Sequence, residues 1–137
     1  MTTILNKQDF VIIREQDVVP FRNQVKDAAV KVGMGILNQT KLITAASELV
    51  RNLLKYGGGG TVEIETVSNG RENGVRLRFS DKGPGIKDVD LAMKDGYSTG
   101  KSLGLGLPGT KRLVNEFDIQ STVGEGTTVT IIKWKNG

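Results

Sequence analysis

Residues 42–64 read LITAASELVRNLLKYGGGGTVEI, and the change of period inside this stretch decides the fold. Leu42, Ala45, Ala46, Leu49, Val50, Leu53 and Leu54 recur at intervals of three and four, the stripe of a helix with one side in a core. The spacing predicts that helix from about Asn38 to Tyr56. Four glycines, 57–60, stop it, since glycine is a poor helix former and a common helix terminator. Val62 and Ile64 then alternate with polar neighbours, which is the period of a strand.

Upstream, Phe10–Ile13 reads as a short strand. Asp17 is placed to cap a helix with Pro20 in its first turn, and Phe21, Val25, Ala28, Ala29 and Val32 follow at helical spacing up to Gly33. Downstream, Val75, Leu77 and Phe79 form a second alternating run. The Asn69-Gly70 and Asn73-Gly74 pairs between the runs predict a hairpin. Residues 81–109 lose any period, apart from a short helix near Val89–Met93. A helix is then predicted from Pro108 to about Phe117, and a last strand over Thr128–Trp134. The order β-α-α-β-β-loop-α-β predicts an α+β protein: a two-layer α/β sandwich, a mixed sheet with helices on one face. The 137 residues fit a single domain, 1–137.

Composition removes several chemistries. There is no cysteine and no histidine, so thiolate nucleophiles, imidazole metal sites, Ser-His-Asp triads and phosphohistidine are excluded. Acid–base work would fall to carboxylates or lysines. The net charge of +4 comes from interspersed residues with no run of like charges, so no nucleic-acid patch is indicated. No signal-peptide run or long apolar stretch occurs, which predicts a soluble, cytoplasmic protein without a membrane role.

The aperiodic segment holds seven glycines, at 83, 85, 96, 100, 104, 106 and 109. That is well above the ~7% background, and long loops inside small domains are usually functional. Gly104–Gly109 matches G-x-G-x-x-G, but no strand leads into it as a dinucleotide fold requires. Gly96–Ser102 resembles a P-loop with Asp95 where a glycine belongs, and again lacks the strand. The shared physics survives: glycines let backbone approach a phosphate, and the amides opening the helix at Pro108 would face it.

Glu48 and Asn52, four apart, share a helix face with Lys55. Read blandly, this is a solvated stripe. Read functionally, Asn52 is an oxygen ligand for Mg²⁺, Glu48 a general base and Lys55 a phosphate contact. Asp81-Lys82-Gly83-Pro84-Gly85-Ile86 follows a strand and is either an ordinary turn or an adenine site. In the second case the Asp81 carboxylate accepts from the exocyclic amine, which selects adenine over guanine.

Taken in order, Glu48-x-x-x-Asn52, Asp81-x-Gly83-x-Gly85, Gly104-x-Gly106 and Gly124-Glu125-Gly126-Thr127 resemble the N-box, two glycine boxes and closing Gly-x-Gly-Thr of the GHKL ATPases, whose fold is the Bergerat sandwich. Ser47–Asn52, Asp95–Thr99, Gly104–Leu113 and Ile132–Trp134 further resemble stressosome switch kinases, over essentially the whole chain. The resemblance implies a Mg-ATP-dependent serine/threonine protein kinase. It implies Glu48 as catalytic base and Asn52 as the Mg²⁺ ligand. The nucleotide site it implies comprises Asp81, Gly83, Gly85 and Ile86, then Gly104, Leu105, Gly106 and Leu107 in the phosphate loop, and Thr127. Lys82 departs from the asparagine of many members. Implied partners are STAS-domain scaffold proteins as substrates and a PP2C-type phosphatase activated on release; a homodimer is compatible. The competing reading is an ATP-gated binding module, an anti-sigma or phosphatase-activating switch with little kinase activity.

Overall fold

The computed structural model describes residues 2–94 and 106–137. Strand β1 (Thr3–Ile12) leads through a single 3₁₀ turn (Glu15–Asp17) into α1 (Val18–Lys31) and α2 (Ile36–Lys55). Strands β2 (Gly60–Ser68) and β3 (Asn73–Asp81) follow, then the short helices α3 (Val89–Ala92) and α4 (Leu107–Leu113). Strands β4 (Glu116–Thr122) and β5 (Gly126–Trp134) close the described chain. The sheet order is β1-β2-β3-β5-β4.

One layer is helical and the other is the sheet, as the α+β reading expects. Val62, Ile64, Val75, Leu77, Phe79, Val129 and Ile131 point to the helices and join the buried stripes of α1 and α2 in one hydrophobic cluster. Phe21 of α1 is its keystone. It meets Phe10 and Phe79 edge to face, at centroid distances of 6.1 and 5.8 Å. The opposite sheet face is charged. Glu65 lies directly across from Arg76 and is only 2% exposed, paired to its Nε at 2.6 Å.

The sheet is antiparallel at every pairing among the described residues, not mixed. The reason is β4. The sequence pattern carries the preceding helix to Phe117, whereas α4 stops at Leu113 and Val114 is already extended. Asn115 then hooks onto β5: its N–H donates to Ile132 and its side chain accepts from the Trp134 N–H. The additional strand adds one more reversal of the chain, so β5 runs antiparallel to β3. Strand β1 begins earlier than the expected Phe10–Ile13 and ends at Ile12, because its largely exposed residues before Phe10 are held by ladder pairing with β2 rather than by burial.

Two turn expectations need adjusting. The hairpin turns at Asn69-Gly70 alone, where the Asn69 Oδ1 accepts from the N–H groups of Arg71 and Glu72, both at 2.9 Å. Asn73-Gly74 belongs to β3, and Gly74 lies beneath Trp134, where a Cβ would come within 2.6 Å of the indole. Asp17 precedes α1 but does not cap its amides. Its Oδ2 instead accepts from the N–H groups of Ile13 and Arg14, at 2.9 and 3.0 Å, because the 3₁₀ turn folds it back on the end of β1.

Phe21→Ala should cost about 3–5 kcal/mol, the range for emptying a packed aromatic site, read as a lower urea midpoint with an unchanged slope. The hydrogen bonds from Ile13 and then Arg14 hold the Asp17 carboxyl below its ordinary value of 3.8. Their stabilisation is therefore complete above that value and disappears as the pH falls through the lower native one. Asp17→Ala should be less resistant to urea than the parent at about pH 7, and the two should converge in acid below the native titration.

Candidate functional site

The C-terminal half of α2 has two working sides. Leu49, Asn52, Leu53 and Tyr56 face a cavity of about 430 Å³, and Glu48, Arg51 and Lys55 face an open hollow on the other side. Asn52 lies at the boundary between the two, one turn after Glu48 and one turn before Tyr56, about 40° around the helix from each. The expectation of one shared edge for Glu48, Asn52 and Lys55 thus resolves into two environments. Lys55 leans over the Tyr56 ring, its Nζ 5.3 Å from the centroid, and does not line the cavity.

The cavity is walled by Phe79 and Asp81 of β3, the turn Pro84–Lys87, Leu107 of α4, Ile119 of β4, and Thr127 and Val129 of β5. The walls are mostly apolar with a few polar groups, a composition and size typical of small-molecule sites. Asp81 is the last residue of β3, and glycines crowd it. Its Oδ1 accepts from the Gly83 N–H at 2.8 Å. A Cβ on Gly57 would lie 2.6 Å from its Cγ, and one on Gly126 would collide with its carbonyl oxygen.

The turn after Asp81 is fastened to the β4–β5 hairpin. Gly85 has φ 79° and presses on the Thr122 carbonyl, where no side chain fits. Pro84 accepts from the Gly124 N–H at 2.8 Å. The Ser121 hydroxyl accepts from the Ile86 N–H at 2.7 Å and lies 2.7 Å from the Thr127 hydroxyl. Asn52, Asp81, Gly85, Ile86, Leu107 and Thr127 therefore surround one cavity, with Gly83 under Asp81.

Glu48 stands outside that cavity, at the start of α4. A Cβ on Gly106, which has φ 65°, would approach Glu48 Oε2 to 3.0 Å. Glu48 Oε1 is paired with the Arg51 guanidinium. Gly104 and Leu105 lie outside the described residues, as does Asp95–Thr99. No group of three or more Asp, Glu, His or Cys that could hold a metal gathers among the described residues. A cation here would rest on the Asn52 amide oxygen and on oxygens brought by its ligand.

Sequence reasoning misses Gly57 and Ser121. Gly57 is hidden in a glycine run that reads only as a helix stop. Ser121 sits in the strand whose pattern is absorbed into the preceding helix.

With this geometry in view, the likenesses to known proteins are informative. The family model for histidine kinase-, DNA gyrase B- and HSP90-like ATPases matches residues 37–136. The chain belongs to this ATPase family. It is 43% identical over 131 residues to the serine/threonine-protein kinase RsbT of Bacillus subtilis, covering 95% of this chain and 98% of that one. It is 34% identical over 101 residues to the anti-sigma F factor of Anoxybacillus flavithermus, covering 69% and 68%. A crystal structure of the RsbU and RsbW domains of Rv1364c from Mycobacterium tuberculosis superimposes with a TM-score of 0.63 at 19% identity. That match spans 93% of this chain and 32% of the other, and it supports the fold. Within the family the chain is an RsbT-like serine/threonine-protein kinase, related also to the anti-sigma F factors. None of the described helices is long and apolar enough to cross a membrane.

Gly57→Ala tests the crowding around Asp81. Its backbone is open to alanine, but the new methyl displaces the carboxylate. Affinity for ATP, read by titration with a fluorescent analogue, should fall about tenfold or more, the scale of one lost buried hydrogen bond.

Proposed function

We propose that this RsbT-like kinase binds Mg-ATP with its adenine in the cavity beside Asp81. It transfers the γ-phosphoryl group to a serine or threonine of a STAS-domain protein. When released from that protein it binds and activates a PP2C-type phosphatase, as part of a partner-switching stress pathway. The observation that carries the reading is the position of Asp81: a carboxylate pinned by the Gly83 N–H at the wall of an apolar cavity, across from Asn52. A flat base that offers an amine donor suits such a wall.

In this reading the walls formed by Ile86, Leu107 and Val129 hold the base by dispersion and burial. Gly85 and Gly83 give the turn its close approach, and Thr127 stands by Asp81 on the neighbouring strand. Asn52 supplies the protein oxygen for Mg²⁺, which takes few protein ligands and keeps waters and phosphate oxygens for the rest. A Mg²⁺ ion held by Asn52 would supply charge neutralisation at the phosphates. The opening of α4 at Gly106 and Leu107 offers backbone amides to the phosphate end, and the assignment of Gly104 and Leu105 to the same loop rests on their place in the glycine motif. Lys55, read from the sequence as a phosphate contact, lines the hollow beside Glu48 and is assigned to the acceptor side of the transferring phosphate.

Transfer breaks the bond between the γ-phosphorus and the β–γ bridging oxygen and forms one to the acceptor hydroxyl oxygen. The hydroxyl proton passes to Glu48, and ADP leaves. Most of the acceleration comes from positioning and electrostatics, as is usual for phosphoryl transfer.

A second reading has support in the 34% identity to an anti-sigma F factor: an ATP-gated binding module whose output is docking. Incubation with γ-labelled ATP and a genomically neighbouring STAS-domain protein separates the two, because the switch alone leaves the partner unlabelled. Glu48→Gln should abolish labelling of that partner, a loss of about 10²-fold or more for removing a general base, while ATP affinity stays within twofold. Full labelling by the variant would remove Glu48 from the role of base.

A further inference from the structure

The hollow along the polar side of α2, next to the nucleotide cavity, is lined by Glu15, Arg22, Glu48, Arg51 and Lys55 among others. It contains the proposed base and none of the residues that wall the cavity. Glu48 also lies beside Gly106, next to the cavity residue Leu107, so an acceptor hydroxyl entering by the hollow can meet the base at the phosphate end of the nucleotide.

Glu48 is bonded at one carboxylate oxygen and closely neighboured at the other. Oε1 is paired with the guanidinium of Arg51, one turn along the same helix. Oε2 faces Gly106, the residue before α4, at a place where even a methyl group would come within 3.0 Å. The other cation of the helix end, Lys55, is turned onto Tyr56 instead.

We infer that Arg51 is a positioning residue for phosphoryl transfer: it fixes the Glu48 carboxylate against the start of α4 so that the oxygen facing Gly106 receives the acceptor proton. The inference rests on the proposed role of Glu48 as base. Stability is not a sufficient reason for the pair. The Arg51 side chain is 63% exposed and that of Glu48 33%, and exposed pairs of this kind contribute little to folding. Orientation is a better reason. A carboxylate on a flexible stem has several rotamers, and a reacting group displaced by about 1 Å can lose as much as two orders of magnitude in rate. The glycine at 106 belongs to the same arrangement, since a side chain there would push the carboxylate away from its oxygen's working position.

Arg51 acts through Glu48 and does not line the nucleotide cavity, so its loss should appear in turnover and not in nucleotide binding. MgATP hydrolysis with water as the acceptor provides the assay, because the products are ADP and inorganic phosphate and no partner protein is needed. Arg51→Met should lower kcat about tenfold. KM for ATP should stay within about twofold, and the melting temperature within about 2 °C, as for an exposed pair. Arg51→Lys keeps a cation at this position and should recover part of the lost rate. A parental kcat in Arg51→Met overturns the inference. So does a loss carried by KM or by melting temperature, or a lysine variant as slow as the methionine one. Glu48→Gln in the same assay separates the two levels. If it turns over at the parental rate, the base assignment itself fails. If it is inactive while Arg51→Met is unimpaired, only the role of Arg51 fails.

Discussion

Between the end of α2 and the start of β2 the chain passes through a gap too narrow for side chains. A Cβ on Gly59 would come within 2.8 Å of the Ile12 carbonyl, one on Gly60 would strike the Ser80 carbonyl, and one on Gly57 would strike Asp81. Gly58 and Gly59 also take positive φ, 74° and 98°, while the Gly59 N–H caps Leu53 at 2.8 Å. These glycines let the helix lie directly on the sheet, where β1 and β3 flank the start of β2. The buried stripe of α2 and the position of Asp81 both follow from that contact. Fold and site share one steric constraint, so a change in the glycine run touches both.

The same helix then allocates the chemistry. Asn52 lines the apolar cavity and Glu48 the neighbouring polar hollow, and their one-turn spacing keeps the two side by side on the edge of the helix between them. A nucleotide benefits from enclosure, because apolar walls strengthen each polar contact made inside them. A protein acceptor needs the reverse, an approach from solvent to a carboxylate that remains reachable. One helix with two faces meets both demands, and the short α4, opening at Gly106, lies beside both.

How far the sequence reveals this depends on how each feature announces itself. Buried stripes do so by period, and α1, α2, β2 and β3 are legible from Phe21, Leu49, Val62 or Leu77 alone. Strand β4 is not. Its alternation of Glu116, Asp118 and Gln120 with Phe117, Ile119 and Ser121 directly follows a helical run, and only the hook at Asn115 marks the boundary. Missing β4 also made the sheet read as mixed. In the site, Glu48, Asn52 and Asp81 stand out because charged or amide groups recur at meaningful spacing. Gly57 and Ser121 do not, since their effects arise across the fold: one clears space for a carboxylate on another strand, and the other joins a turn and a hairpin 35 residues apart. Spacing places Lys55 near Asn52 but does not tell which hollow it lines, and in the fold it lines the one shared with Glu48 and Arg51.

Leu53, Phe79, Leu107 and Val129 belong at once to the hydrophobic core and to the wall of the cavity. Nothing lies between pocket and core, so a molecule seated there completes the packing of the protein itself. The free energy of occupancy is then added to the free energy of folding, by about 2.7 kcal/mol at a concentration one hundred times the dissociation constant. For a chain this small, that is a sizeable share of a typical total. The lifetime of such a protein in a cell would rise and fall with the supply of its ligand, before any phosphate is moved.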